Sequence, residues 1–185
     1  MFRNAKIIGL LVLLWLPAHA QAAVQGALGA TSVGSATISV TKAIQAQISD
    51  ISDMTLANWS VGDGAVTLSS NVCVYSSTGS YKVTATGSGA GSAFSITSGS
   101  GTIPYSVTWN SGGAGGLANS GTSLVTNVQS AMMNNASTTS ATCNGGGATN
   151  NTARIIVGIS QADMNAAAST NTPYTGTLTM LVTPY

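Results

Sequence analysis

Apolar and hydroxyl-bearing residues alternate in short runs along this chain, and clusters of glycine and serine separate the runs. Tyr81, Val83 and Ala85 alternate with Lys82, Thr84 and Thr86, and Tyr174, Gly176, Leu178, Met180 and Val182 share a second such phase. A period of two sends successive side chains to opposite faces of a strand, so each run reads as a half-buried strand. Further strands are expected at residues 66–75, around Phe94 and Ile96, and at 154–159. Another is expected at 103–109, with Ile103, Tyr105, Val107 and Trp109 on one face. Pro104 marks that run as an edge or a strand start, because it has no N–H for a ladder. Residues 111–151 are the least regular, with a short apolar piece around Leu124 and Val125. Ser160 can cap one or two helical turns within residues 160–168, with Asp163 at the third position. Many short strands, no strand–helix–strand rhythm and no fixed repeat period predict an all-β fold, an antiparallel sandwich or barrel.

The earliest alternating run is 34–42. Ala36, Ile38 and Val40 fall on one face, and Thr37, Ser39 and Thr41 on the other. The phase resumes with Ile44, Ala46 and Ile48 before Asp50-Ile-Ser-Asp53 interrupts it. Ahead of this run, Arg3 and Lys6 precede an apolar stretch at 7–16 and the small-x-small pattern Ala18-His19-Ala20. That order is a secretory signal with cleavage after Ala20, or two residues later after Ala20-Gln21-Ala22. The apolar stretch is short for a bilayer span and no flanking charge follows it, which argues against an uncleaved anchor. The expected organisation is therefore a signal peptide at 1–20, a leader with the first strand at 21–43, and a β-domain at 44–185, with no membrane span after cleavage.

Composition narrows the function classes. Charged residues make up 5% of the 185 residues, far below the ~25% usual for soluble domains, while 44% are hydrophobic. Disordered chains are apolar-poor and charge-rich, so this composition points to a folded domain made polar by hydroxyls and amides. After signal removal, Lys42, Lys82 and Arg154 face Asp50, Asp53, Asp63 and Asp163. That balance provides no basic footprint for nucleic acid. The single histidine, His19, leaves with the signal, and the chain contains no glutamate. A serine nucleophile thus lacks its usual base, and paired acid–base work would have to come from the four aspartates, of which Asp50 and Asp53 are close in sequence but beside a turn. No metal or cofactor set is recognisable, and an enzyme is not expected. Trp59, Trp109, Tyr75, Tyr81 and Tyr105 fall in phase with aliphatics, which suits a core better than a sugar-stacking face. A secreted glycan- or surface-binding module, stable as a monomer, is the rival class. The two cysteines, Cys73 and Cys143, enter an oxidising compartment, so a disulfide is expected.

Five pieces of the chain occur in the order found in spore coat protein U-like domains, which include subunits of archaic chaperone–usher pili. They are Ile-Ser-Val-Thr-Lys-Ala-Ile-Gln-Ala-Gln-Ile-Ser at 38–49, Asn-Val-Cys-Val-Tyr at 71–75, Tyr-Lys-Val-Thr-Ala-Thr-Gly at 81–87, Ile-Pro-Tyr-Ser-Val-Thr-Trp at 103–109 and Tyr-Thr-Gly-Thr-Leu-Thr-Met-Leu-Val-Thr-Pro at 174–184. The resemblance spans residues 34–185. It implies an incomplete immunoglobulin-like antiparallel β-sandwich lacking its last strand and completed by donor-strand exchange. A periplasmic chaperone would fill the gap, an outer-membrane usher would exchange it, and the N-terminal strand of another copy or a related pilin would replace it. Ala36, Ile38 and Val40 would be the inserted side chains. The implied product is a cell-surface pilus, secreted through the periplasm and supporting adhesion or biofilm formation. This chain departs from the family in one respect. Such domains commonly carry a cysteine near the position of Ile48 that pairs with the one matched by Cys73, and here the only other cysteine is Cys143.

Overall fold

The computed structural model describes residues 23–147 and 149–185, so the expected signal peptide and its cleavage sites lie outside the described residues. The chain divides into two units, the first ending at Lys42 and the second spanning Ala43–Tyr185.

In the first unit, Val24 and Ser35 form an antiparallel bridge and exchange both main-chain hydrogen bonds, at 2.9 and 3.0 Å. The strand expected at 36–42 has no ladder partner among the described residues. Ile38 and Val40 are each 89% exposed, and Ala36 is exposed as well.

The second unit is mostly β, and its strand pairs are all antiparallel. Its strands are β1 (Ala46–Ser49), β2 (Val66–Ser76), β3 (Tyr81–Gly87), β4 (Ser95–Ser98), β5 (Gly101–Pro104), β6 (Ser106–Asn110), β7 (Thr122–Leu124), β8 (Ala153–Ile159) and β9 (Leu178–Pro184). They pair in the orders β1-β2-β8-β6-β7, β3-β9 and β4-β5. The main core draws Val72, Val74, Val107, Trp109, Ile155 and Val157 from the five-stranded sheet and Tyr81, Val83 and Ala85 from β3. Each set holds one parity along its strand, as the period of two requires. Trp109 and Tyr81 join the two sheets. The indole Nε1–H donates to the tyrosine oxygen at 3.1 Å, and the rings meet edge-on at 6.3 Å between centroids. A second cluster at one end collects Val66, Ile103 and Ile159, with Trp59, Tyr105 and Tyr174 against it.

Two expectations need correction. The run 103–109 is two strands, not one. β5 ends at Pro104, which cannot donate to a ladder, and Tyr105 N donates to Phe94 O at 2.9 Å. The chain thereby changes partner, from β4 before Tyr105 to β8 and β7 after it. The last strand begins at Leu178, not Tyr174. Before it, Thr175 forms an isolated bridge with Thr97. The helix forms as expected: α1 (Gln161–Ala166) is capped by Ser160, whose hydroxyl accepts from Asp163 N at 3.0 Å.

Candidate functional site

β1 leaves and β9 arrives at the same place, the turn between β2 and β3. Ser77 N donates to Gln45 O at 2.9 Å, and Tyr185 N donates to Ser80 O at 3.1 Å. The two strands therefore run in opposite directions. β1 pairs with β2 alone and β9 with β3 alone among the described residues. Between them lies a cleft of about 510 Å³ whose walls include Ile44, Ala46, Tyr75, Ala141, Val182 and Pro184.

The apolar residues along this seam are incompletely covered. Ile48, Leu178, Met180 and Val182 pack on the core yet stay partly exposed, whereas Tyr81, Val83 and Ala85 of the neighbouring β3 have 0% exposure. The difference comes from the two edges of the small sheet. On the far side of β3 the chain covers its own edge. Thr126, Gln129 and Met133 bridge to Ala85, Thr84 and Tyr81, and Ser130 N donates to Val83 O at 2.8 Å. No such segment lies along the outer side of β9 among the described residues. Its sequence, Leu-Thr-Met-Leu-Val-Thr-Pro, holds no charge. Edge strands are ordinarily blunted by charge, bulges or cover, and β9 is closed to pairing only at its terminal Pro184.

The disulfide braces one wall of this cleft. Cys73, fully buried in β2, bonds Cys143 across 5.7 Å between Cα atoms. Cys143 fixes the segment carrying Ala141, whose carbonyl accepts the Ser49 hydroxyl of β1 at 3.3 Å. The chain thus ties its irregular 140–147 segment to the first two strands.

A second cleft, of about 350 Å³, is polar and lined in part by Asp50, Ser52, Ser70, Asn71, Asn151 and Arg154. Its groups mostly engage one another. The Asp50 carboxylate accepts Asn151 Nδ2 at 2.6 Å and Gly147 N at 3.3 Å, which holds its pKa below the usual carboxylate value. Arg154 donates from Nε to Asn71 Oδ1 at 2.6 Å and from Nη1 to Asn119 Oδ1 at 2.8 Å. Asn151 Oδ1 is buried without a protein partner. This arrangement clasps a loop to the end of β1. Among the described residues no cluster of three or more His, Cys, Asp or Glu side chains could hold a metal. No described helix is long and apolar enough to cross a membrane.

The aromatic residues do not gather on one face. Trp109 and Tyr81 are core, Phe94 and Tyr105 stack at 5.7 Å, and Trp59 Nε1 donates to Gly64 O at 3.1 Å. Comparison with protein-family models, curated proteins and solved structures returned no match. The functional reading therefore rests on the seam. Its lining was half legible in the sequence, as the in-phase Ile44, Ala46 and Ile48 and the in-phase Leu178, Met180 and Val182. That these two runs face each other was not legible.

Proposed function

We propose that this chain is a structural subunit of an extracellular chaperone–usher pilus, and that it polymerises by lending residues 36–40 to the open seam of the next copy. The strand order supports an immunoglobulin-like sandwich one strand short. β1-β2-β8-β6 matches the A-B-E-D order of that fold, β3-β9 matches C-F, and no described strand takes the place of G beside F. The observation that carries the reading is the unpaired, uncharged edge of β9 above half-covered Met180 and Val182. A strand added there gains main-chain hydrogen bonds from the sheet edge and pockets for alternate side chains. Ala36, Ile38 and Val40 supply such an alternating apolar set, and they are exposed in the single chain.

Because β1 and β9 are antiparallel, an intervening strand runs antiparallel to one and parallel to the other. In the proposed route a periplasmic chaperone covers the seam first, an outer-membrane usher exchanges it for a sister subunit, and the polymer stands on the cell surface, where it serves adhesion or biofilm formation.

The test is size-exclusion of the secreted chain, expressed with and without a cognate chaperone, beside a variant lacking residues 21–42. The expected result is a soluble complex with chaperone, polymer without it, and a folded unit that no longer assembles after the deletion. A deletion that still polymerises removes the donor role, and a full-length chain that stays a stable monomer removes it and favours a secreted binding module.

A further inference from the structure

The apolar phase of the donor segment continues into the receiving domain. Ala36, Ile38, Val40, Lys42, Ile44, Ala46 and Ile48 all share one parity, and Lys42 is the single charged member. It is also the last residue of the first unit. On the far side of the donor segment, both main-chain groups of Ser35 are taken by Val24.

A period-two pattern leaves a problem of register. A slip of one residue turns the apolar face outward and is strongly disfavoured, but a slip of two keeps every side chain on its face. Something other than alternation must exclude slips of two. Placing Ile38, Val40 and residue 42 in the sites meant for Ala36, Ile38 and Val40 would increase apolar contact if residue 42 were apolar. With lysine there, the slip drives an ammonium toward an apolar seam, and burying an unpaired charge is strongly unfavourable. The opposite slip carries Gly34 into the site of Ala36, forfeits Val40, and requires the Val24–Ser35 pair to part.

We infer that Lys42 is the register-determining residue of subunit–subunit insertion, with the Val24–Ser35 bridge as the stop at the other end. Residues 36–42 then form the free stretch, equal in length to the 7 residues of β9. The inference rests on the donor reading above and adds to it a residue whose role is to choose between two otherwise similar alignments.

The experiment is hydrogen exchange, resolved to single amides, on polymers of the full-length chain and of Lys42→Leu and Lys42→Arg variants. In the parent and in Lys42→Arg, slow exchange within the donor segment begins at Ala36 or Thr37. In Lys42→Leu the boundary moves two residues toward the C-terminus in a major share of junctions, a displacement of about 6.7 Å along the seam. An unmoved boundary in Lys42→Leu overturns the role of Lys42 and leaves the donor reading standing. Fast exchange throughout 36–42 in the parent polymer overturns both. A shifted boundary in Lys42→Arg assigns register to side-chain shape and overturns the role of charge.

Discussion

Insertion of the donor segment predicts a period-two pattern of energetic loss, and its size can be worked from exposure and chain chemistry. Ile38 and Val40 begin 89% exposed, so full burial in the proposed insertion would remove nearly the whole of each side chain from water. Ile38→Ala removes three carbons, worth about 2.4 kcal/mol at roughly 0.8 kcal/mol each. That corresponds to a roughly 50-fold weaker dissociation constant. Val40→Ala removes two carbons, about 1.6 kcal/mol, or roughly 15-fold. Thr37→Ala and Ser39→Ala alter the opposite face and should change affinity less than about 2-fold, apart from small propensity effects. The assay uses a fluorescent peptide of residues 34–42 titrated into the full-length Ile38→Asp chain, whose own donor is spoiled by a charge. Anisotropy reports binding, and thermal unfolding at saturating peptide reports stabilisation of about 2.7 kcal/mol at one hundred times the dissociation constant. Equal losses at 37, 38, 39 and 40, or equal binding of a scrambled peptide, would refute a strand seated by alternate side chains.

Two further outcomes follow from the fold. Replacing both Cys73 and Cys143 by serine should lower stability to denaturant by about 4 kcal/mol, from the chain-entropy value of a loop of this size, and should loosen the 140–147 wall of the cleft; a change below about 1 kcal/mol would mean the bridge constrains little. Burial pushes the Tyr81 phenol up to about 12, against the opposing effect of the Trp109 hydrogen bond, so the folded chain holds that proton more tightly than the unfolded chain does. Its contribution is fully present below pH 10 and is lost as pH rises from there to about 12, by roughly 2–3 kcal/mol. Tyr81→Phe should flatten that alkaline fall, while costing about 1–3 kcal/mol at neutral pH because the buried indole N–H loses its acceptor; denaturation midpoints of the two chains between pH 8 and about 12 decide it.

Local rules carried the reading furthest where one residue's chemistry sufficed. The alternation of Tyr81 to Thr86 became β3 with the expected inner face, and Ser160 with Asp163 became the cap of α1. Sequence reasoning failed where the outcome depended on which distant backbone was adjacent. At Tyr105 the side-chain phase continues through Ile103, Val107 and Trp109, so nothing in the pattern announces that the strand changes partner there. The cover over β3 is built from isolated bridges with Asn127 in the left-handed region, a geometry that leaves no periodic trace. Asp50 reads as a turn residue from its neighbours, and its clasp to Asn151 spans about a hundred residues of sequence.

The two edges of the small sheet bear most directly on function. One chain, with one composition, covers β3 with its own residues 126–133 and, among the described residues, leaves the outer edge of β9 uncovered. A general shortage of covering segments does not account for that difference. Apart from the terminal Pro184 the edge lacks the usual defences, since no charge interrupts β9; the Lys82 ammonium lies over the Tyr185 ring at 3.9 Å, beyond the strand's end. The open edge is uncharged, and beside it Ile48, Met180 and Val182 pack on the core while staying partly exposed, which is apolar surface that a closing strand would cover. That surface favours any strand that fits. On the proposed reading, stability and assembly are one quantity seen twice: what the single chain lacks in its core is what a neighbour's residues 36–40 would supply. A substitution that deepens the seam should weaken the monomer and leave a cavity that the unchanged donor side chains do not fill. One that fills it should stabilise the monomer and weaken the proposed junction.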